Sequence, residues 1–465
     1  MQGNEQAPQS MIESLSIEHV PVRDRRGLLR DQAPFWFMGN CNFFTLAIGF
    51  VGPSLGLDLL WTSIASAIGI LAGTLVMALH ASQGPRLGLP QMVQSRAQFG
   101  YRGVIIPLLA SLATFVGFNI IDTVLLADGL GSLYGFEKVL TSVILAVGAG
   151  ALALLGYDWI HRAFKTLFWL NLPVFAILTL AILTGQVVAT APATNSFSWP
   201  GFAAQLAICA SYNVTFAPYV SDYTRYLPER TPVGRLIASV FAGAASSAIW
   251  LIILGAWMAT NLGAGDGLVA LRGLADQLVG GGGNVIVALS VFSLIGVMSL
   301  NVYSGMLTAV TVVNSFTAIQ LSKKLRVICI VSLMMVWLYF SSIVEINAVG
   351  LLFSGMTIML YLLVPWSAIN LADYFIHRRG IYSIDALFDA EGEYGRWSAS
   401  GLIAYFAGLA ASIPFASLPG MFVGAGAHFV GDIDIAWVVS LLVSGTTYLV
   451  LQRRIIPLDP VPESP

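Results

Sequence analysis

Charge is what this chain of 465 residues has least of: Lys, Arg, Asp and Glu together make up 10% of it, against 57% hydrophobic residues. So little charge cannot coat a water-soluble domain of this length, which excludes that class for most of the chain. The Lys and Arg residues stand singly or in short clusters, so no basic patch supports a nucleic-acid surface. Three cysteines occur, Cys41, Cys209 and Cys329, each inside an apolar stretch. They make neither a disulfide framework nor a metal knuckle. The five histidines, at 19, 80, 161, 377 and 428, fall in tails, helix ends or loops. At membrane depth there is no HExxH, no paired-aspartate metal motif and no Ser/His pair, so an intramembrane enzyme has no support. No GxxxxGK[ST] pattern occurs, which disfavours an ATP-driven pump. Strand-like alternation does not recur, which disfavours a β-barrel.

What is present is apolar runs near twenty residues long, repeated along the whole chain, and these predict membrane-spanning helices. Twelve are expected, numbered here helix 1 to helix 12: 35–58, 61–80, 103–132, 139–156, 164–186, 199–220, 234–262, 284–314, 325–343, 347–372, 399–415 and 432–451. The fold class is therefore all-α and polytopic. The first 34 residues carry Arg23, Arg25, Arg26 and Arg30 and no apolar core, so no cleavable signal peptide is expected. If this tail is cytoplasmic and the spans alternate, 20 of the 22 Lys and Arg residues lie on the cytoplasmic side, leaving only Lys138 and Arg272 outside. The positive-inside rule supports that count and orientation. Both termini are then cytoplasmic in a multi-pass protein of the inner or plasma membrane.

Polar punctuation appears at two matched places. Helix 1, "FWFMGNCNFFTLAIGFVGP", carries Gly39, Asn40 and Asn42 at mid-span; helix 6 carries Ser211, Tyr212 and Asn213, then Pro218. Small and amide residues also serve as ordinary packing or kinking residues in membrane helices. A matched pair five helices apart instead points to an inverted-repeat transporter with its site at the midplane. The expected organisation is a cytoplasmic tail (1–34), a transport core (35–372) of two repeats (35–186 and 199–372), a cytoplasmic loop (373–398), helices 11 and 12 (399–452) and a second tail (453–465). The stretch 84–103, rich in Gly and Pro, reads as a short amphipathic segment at the cytoplasmic interface. The polar stretch from Arg378 reads as an ordered cytoplasmic loop.

Four stretches, "GLPQMVQSRAQFGYRG", "VSDYTRYLP", "SLNVYSG" and "YSIDALFDAEGEYGRW", together resemble the purine–cytosine permease branch of the nucleobase–cation symporter-1 family. The resemblance runs from about residue 20 to 450 with the motifs in the family's order. It implies a five-plus-five inverted-repeat fold with broken helices 1 and 6, two added helices, and cation-coupled uptake of nucleobases or similar flat heterocycles.

Helix 3 places Phe115, Asn119 and Asp122 on one face by their spacing. The resemblance implies that an aromatic residue at Phe115 stacks on the base and that Asn119 bonds its edge; many relatives carry tryptophan at the first position. A flat heteroaromatic ligand needs that pairing of platform and directional donors. In helix 6 the resemblance points to Tyr212 and Asn213: either Tyr212 stacks while Asn213 bonds the ligand, or the register slips by one. Asn42 joins this substrate-binding set from helix 1. In helix 8 Asn301 and Gly305 fall on the face that matches the family's substrate side, with packing between helices as the ordinary alternative for such an asparagine.

The other face of helix 8 matches the family's sodium site. Its ligands would be the carbonyls of Met38, Cys41 and Gly296 and the hydroxyl of Ser299, oxygen donors that suit a hard monovalent cation. This chain has Leu300 where sodium-coupled relatives have threonine. One hydroxyl is lost, so Asp122 becomes the candidate carrier of coupling: a carboxylate inside a span usually faces a cavity or relays a proton. Asp128 is expected to be solvated, and Asp222 and Arg225 to form a gate or ion pair at the cytoplasmic end of helix 6. The expected protein is a secondary transporter and not an enzyme, coupled to H+ or Na+, with no other cofactor. Its partners are a small heterocycle and the lipid bilayer; no nucleic acid and no obligate protein partner is evident. Alternatives are another heterocyclic cargo (allantoin, a hydantoin, a pyridoxine-like vitamin or a thiamine precursor) or a channel.

Overall fold

The computed structural model describes residues 16–191, 196–317, 319, 322–344, 348–418 and 421–455. Each of the twelve apolar stretches is helical. Helix 1 runs Gln32–Asn40, breaks, and continues as Phe43–Ile48 and Val51–Ser54; helix 2 is Leu59–Ala81, helix 3 Ile105–Tyr134, helix 4 Lys138–Leu155 and helix 5 Tyr157–Leu183. Helix 6 is Trp199–Val214 with a detached end at Val220–Thr224, helix 7 is Val233–Asn261, helix 8 Gly282–Asn314, helix 9 Lys323–Ile343 and helix 10 Ala348–Leu371. Helices 11 and 12 are Ala399–Ser412 and Ala436–Ile455. Among the described residues, eight single helices are long and apolar enough to cross a bilayer, and helix 1 qualifies as a pair bent by 55°. A two-residue hairpin, Ser417–Leu418 with Phe422–Val423, joins the last two helices.

Helices 1, 2, 6 and 7 pack together, while helix 8 packs against helices 3, 4, 5 and 9; helices 11 and 12 pack on each other and, with helix 10, flank the core. Small residues set the closeness of the first group. A Cβ at Gly69 or Gly73 would collide with the carbonyls of Leu206 and Ala210, so only glycine lets helix 2 meet the helix 6 backbone. The site lies where the first group faces helices 3 and 8.

One end of the molecule gathers the segments expected on the cytoplasmic side. Gly27 N donates to Tyr226 O (2.8 Å), Val20 N to Gly88 O (2.8 Å) and Arg25 Nη1 to Pro85 O (2.5 Å), and Arg26 pairs with Asp158. The segment 84–103 departs from expectation. Apart from Arg86, residues 81–100 are all buried in protein. Its amides explain why: Gln83 Nε2 donates to Asn370 (2.7 Å), Gln91 Nε2 to Gln83 (2.8 Å), and Gln98 Nε2 to Asp373 (2.6 Å). Polar groups satisfied inside the protein have no need of the membrane surface. Asp373, wholly buried, also accepts from the hydroxyls of Tyr382 (2.7 Å) and Tyr448 (2.8 Å) and pairs with Arg378 (3.4 Å). It ties helices 10 and 12 to the segments 84–103 and 373–398. One element was not expected: Gly267–Leu278, a short helix before helix 8 whose first amides are capped by Asp266.

Candidate functional site

Helix 1 loses its backbone regularity where the amides stand. Cys41 (φ −88°, ψ 68°) and Asn42 (φ −147°, ψ 172°) leave the helical region. Asn42 then bridges the gap it creates: Nδ2 donates to Gly39 O (2.8 Å) and Oδ1 accepts from Thr45 N (3.2 Å). One side chain thus satisfies a carbonyl from the first half and an amide from the second, which makes unwound backbone tolerable at this depth. Asn40 donates to Asn213 Oδ1 (2.8 Å) and Ala244 O (2.9 Å).

Helix 6 is interrupted too, but later than its polar residues suggest. Ser211, Tyr212 and Asn213 are helical; the break comes at Thr215–Phe216, followed by a single 3-10 turn, Ala217–Tyr219. Pro218 lies in that turn and has no N–H to continue an α-helix. The three polar residues are held by neighbours instead. Ser211 Oγ donates to Met356 O (2.6 Å), Asn213 Nδ2 donates to Thr74 Oγ1 (2.6 Å), and the Tyr212 and Thr45 hydroxyls are 2.5 Å apart. Asn213 therefore lies in a network linking helices 1, 2, 6 and 7. Tyr212 lies at the helix 1 break with Asn42 Nδ2 3.4 Å from its hydroxyl, its ring stacked near Phe44 (5.5 Å between centroids).

Opposite stand helices 3 and 8. Asn301 Nδ2 donates to Asn119 Oδ1 (2.9 Å), and Asn119 Nδ2 reaches Met298 O (3.4 Å). The Phe115 ring lies 5.2 Å from that of Tyr219, across the gap to helix 6. Gly305 is beside Phe115, so its missing side chain leaves room next to the ring. Phe115, Asn119, Asn301 and Gly305 line one narrow cleft. Four buried polar atoms here have no hydrogen-bond partner: Asn301 Oδ1, Tyr219 Oη and both carboxylate oxygens of Asp122. Asp122 is also within electrostatic reach of the Tyr212 and Tyr219 hydroxyls. Desolvated polar groups left unpaired cost free energy, about 1–3 kcal/mol for a neutral group and more for a charged one.

The cation-site residues show a thinner arrangement. Ser299 Oγ donates to Gly296 O (2.6 Å), and Cys41 N donates to Met38 O (3.2 Å). Leu300 is fully buried and offers only its carbonyl, which accepts from Tyr223 Oη (3.3 Å). Carbonyl and hydroxyl oxygens are the right chemistry for a hard cation, but the set falls one hydroxyl short. At the end of the molecule that holds residues 16–31, Asp222 Oδ1 accepts from Gln91 N (2.9 Å), and Arg225 donates to Ser16 O (2.5 Å) and Tyr303 Oη (3.2 Å). Asp128 is exposed.

Tyr219 and the helix 9 residues Leu333 and Trp337 belong to this region and were not singled out by sequence reasoning. Pro218 is the signal that could have found Tyr219, because the turn it forces presents the next side chain to the gap. Nothing in the apolar stretch of helix 9 around them distinguishes Leu333 or Trp337.

The family model for permeases of cytosine/purines, uracil, thiamine and allantoin matches residues 19–440. The Bacillus subtilis protein YxlA, named as a purine-cytosine permease, is 32% identical over 95% of this chain and 96% of its own length. An allantoin permease of Bacillus subtilis is 25% identical over 84% of this chain and 82% of its own. A Saccharomyces cerevisiae vitamin B6 transporter is 26% identical over 63% of this chain and 54% of its own. Among solved structures, Mhp1, a nucleobase-cation-symport-1 family transporter in a closed conformation with bromovinylhydantoin bound, superposes with a TM-score of 0.74 at 18% identity, covering 97% of this chain and 98% of that one. At that identity the likeness is one of fold.

Proposed function

Because this chain belongs to the purine–cytosine permease branch of the nucleobase–cation symporter-1 family, we propose that it takes up cytosine or purines by cation-coupled alternating access. The observation that carries this reading is the set of unpartnered buried atoms: Asn301 Oδ1 in the cleft with Phe115, Tyr219 Oη on the ring that faces Phe115, and the Asp122 carboxylate farther along helix 3. A planar base stacked on Phe115 would supply donors and acceptors at its edge, while the aromatic walls take its faces. Asn119 and Asn301 then read the ring edge from helices 3 and 8. Tyr212 and Asn42 respond from the helix 1 break, and Asn213 holds the two broken helices together. The protein is a carrier, not an enzyme.

For the coupling ion we assign the proton, held at Asp122. With Leu300 in the coordination position and Ser299 bonded to Gly296, the sodium ligands Met38, Cys41, Gly296 and Ser299 form an incomplete set. A bare carboxylate buried without donors needs a proton or cation from outside the protein. Substrate and proton then favour the same closed arrangement, a reciprocal coupling of binding free energies. Two repeats, 35–186 and 199–372, rock about the site to expose it inward. The basic end, where residues 16–31 meet the loops, is the cytoplasmic face, and the protein resides in the cell membrane.

A vitamin B6 transporter and an allantoin permease among the relatives favour a second reading, the same scaffold with another small heterocycle. Uptake of labelled cytosine, adenine, hypoxanthine and allantoin, with sodium and pH varied independently, tests both. Saturable uptake of a base that responds to pH and not to sodium is expected. Saturable uptake of allantoin alone would select the second reading, and unsaturable flux would point to a channel.

A further inference from the structure

The cleft beside Phe115 does not end at helices 3 and 8. Its far wall comes from helix 9: Leu333 and Trp337 line it together with Phe115, Asn119, Asn301 and Gly305. The two helix 9 residues are held differently. Trp337 is buried, and its indole N–H donates to Thr123 Oγ1 on helix 3 (2.7 Å). That bond fixes the ring plane, so Trp337 is a rigid panel. Leu333 is only partly buried and makes no polar bond, so it is free to change rotamer. It faces Gly305, a helix 8 position without a side chain. A Cβ built at Gly305 would stand 3.2 Å from Leu333 Cδ1 and 3.7 Å from Phe115 Cδ2. Gly305 and Leu333 together therefore set the gap at the end of the Phe115 ring.

We infer that helix 9 is a specificity wall, with Leu333 set against Gly305 limiting how far a planar substrate extends past Phe115, and Trp337 fixing the wall's position. The inference rests on the base-binding reading above and adds a determinant outside helices 1, 3, 6 and 8. The unpartnered Asn301 Oδ1 lies in the same cleft, so a ring bonded to it has its distal edge directed along this wall. The cleft is narrow: a single methyl group at Gly305 would already press on Leu333, so one side chain here decides how far a ring extends. Discrimination by added or missing methylene-sized groups in apolar pockets amounts to roughly 10–200-fold.

The test uses the full-length carrier in cells, with cytosine as the single-ring probe and adenine as the fused-ring probe. The quantity read is the ratio of their inhibition constants against one labelled substrate. Leu333→Ala should shift that ratio about tenfold toward adenine, and Gly305→Ala should shift it a similar amount toward cytosine. The double variant Gly305→Ala/Leu333→Ala should return the ratio toward the starting value, a compensation that a general packing defect would not give. Should Leu333→Ala fail to reach the membrane, Leu333→Val and Leu333→Phe must move the ratio in opposite directions. An unchanged ratio in variants that still transport would overturn the helix 9 wall and leave the base-binding reading intact. Absence of binding by both probes to the unmodified carrier would overturn that reading instead, and the wall with it.

Discussion

Asn301 on helix 8 donates to Asn119 on helix 3 across 2.9 Å, and the Asn301 carbonyl oxygen is left without a partner. One amide thus fastens two helices while keeping its acceptor for a ligand. Replacing it with alanine removes both functions and strands Asn119 Oδ1. Loss of a bond to a buried partner costs about 1–3 kcal/mol, or roughly 10–100-fold in affinity. Asn301→Ala should abolish measurable uptake at micromolar substrate while surface expression stays near that of the parent and the detergent melting temperature falls by no more than a few degrees. Normal uptake kinetics in that variant would remove Asn301 from the site.

Asp122→Asn keeps the size of the side chain and removes its ability to carry a proton. Concentrative uptake should be lost and the dependence on external pH should flatten, while exchange of internal for external substrate continues. Counterflow in proteoliposomes separates the two. Retained accumulation driven by a pH gradient would exclude Asp122 as the coupling group.

Leu300→Thr adds the hydroxyl that the sodium ligands lack. Sodium should then stimulate uptake by the variant several-fold where it has little effect on the parent. The control Leu300→Val, which matches threonine in shape but lacks the hydroxyl, should not respond.

The docked residues 16–31 should loosen in acid. His19 stands 3.1 Å from Arg25 Nη2, and Glu229 and Asp385 are its acidic neighbours. Burial, with Arg25 adding to it, holds its pKa below the ordinary value of about 6.5. The released segment therefore binds more protons than the docked one below about pH 6.5, and docking stability falls as pH drops through that value. Hydrogen exchange in residues 16–31, taken relative to the intrinsic amide rate at each pH, should accelerate between pH 7.5 and 5.5, and His19→Gln should remove that relative change. An identical acceleration in His19→Gln would place the cause elsewhere.

Asp373→Ala leaves Gln98, Tyr382, Tyr448 and Arg378 facing a hole. Breaking a buried pair by deleting one partner costs about 3–5 kcal/mol, so the melting temperature in detergent should fall by several degrees or more. Asp373→Asn, which keeps an acceptor oxygen and the side-chain volume, should lose less.

Much of the architecture could be read from residues alone because the bilayer enforces it. Twelve apolar stretches are helical since lipid offers the backbone no other partner, and the break in helix 1 sits at Asn40–Asn42 because Asn42 can stitch both halves. The same logic misplaced the break in helix 6. Ser211, Tyr212 and Asn213 resemble residues of unwound backbone, but Met356, Thr45, Thr74 and Asn40 satisfy them across helices. Such pairings join positions more than a hundred residues apart and leave no local trace. The burial of 84–103 escaped for the same reason, since the partners of its glutamines lie on helices 6 and 10. Leu333 shows the limit most plainly: a leucine in an apolar helix has no mark of what it faces.

The bonds at Asp373 also say something about how the chain is made. Its donors come from three directions, and the last of them, Tyr448, is synthesised 75 residues after it. During biogenesis the C-terminal end of helix 10 therefore waits, with an acceptor unfilled, until helix 12 has threaded into the membrane. The pair of helices 11 and 12 is the closing stitch of assembly, and a ribosome stalled after helix 10 would leave a nascent carrier whose loops at this end still lack their common anchor.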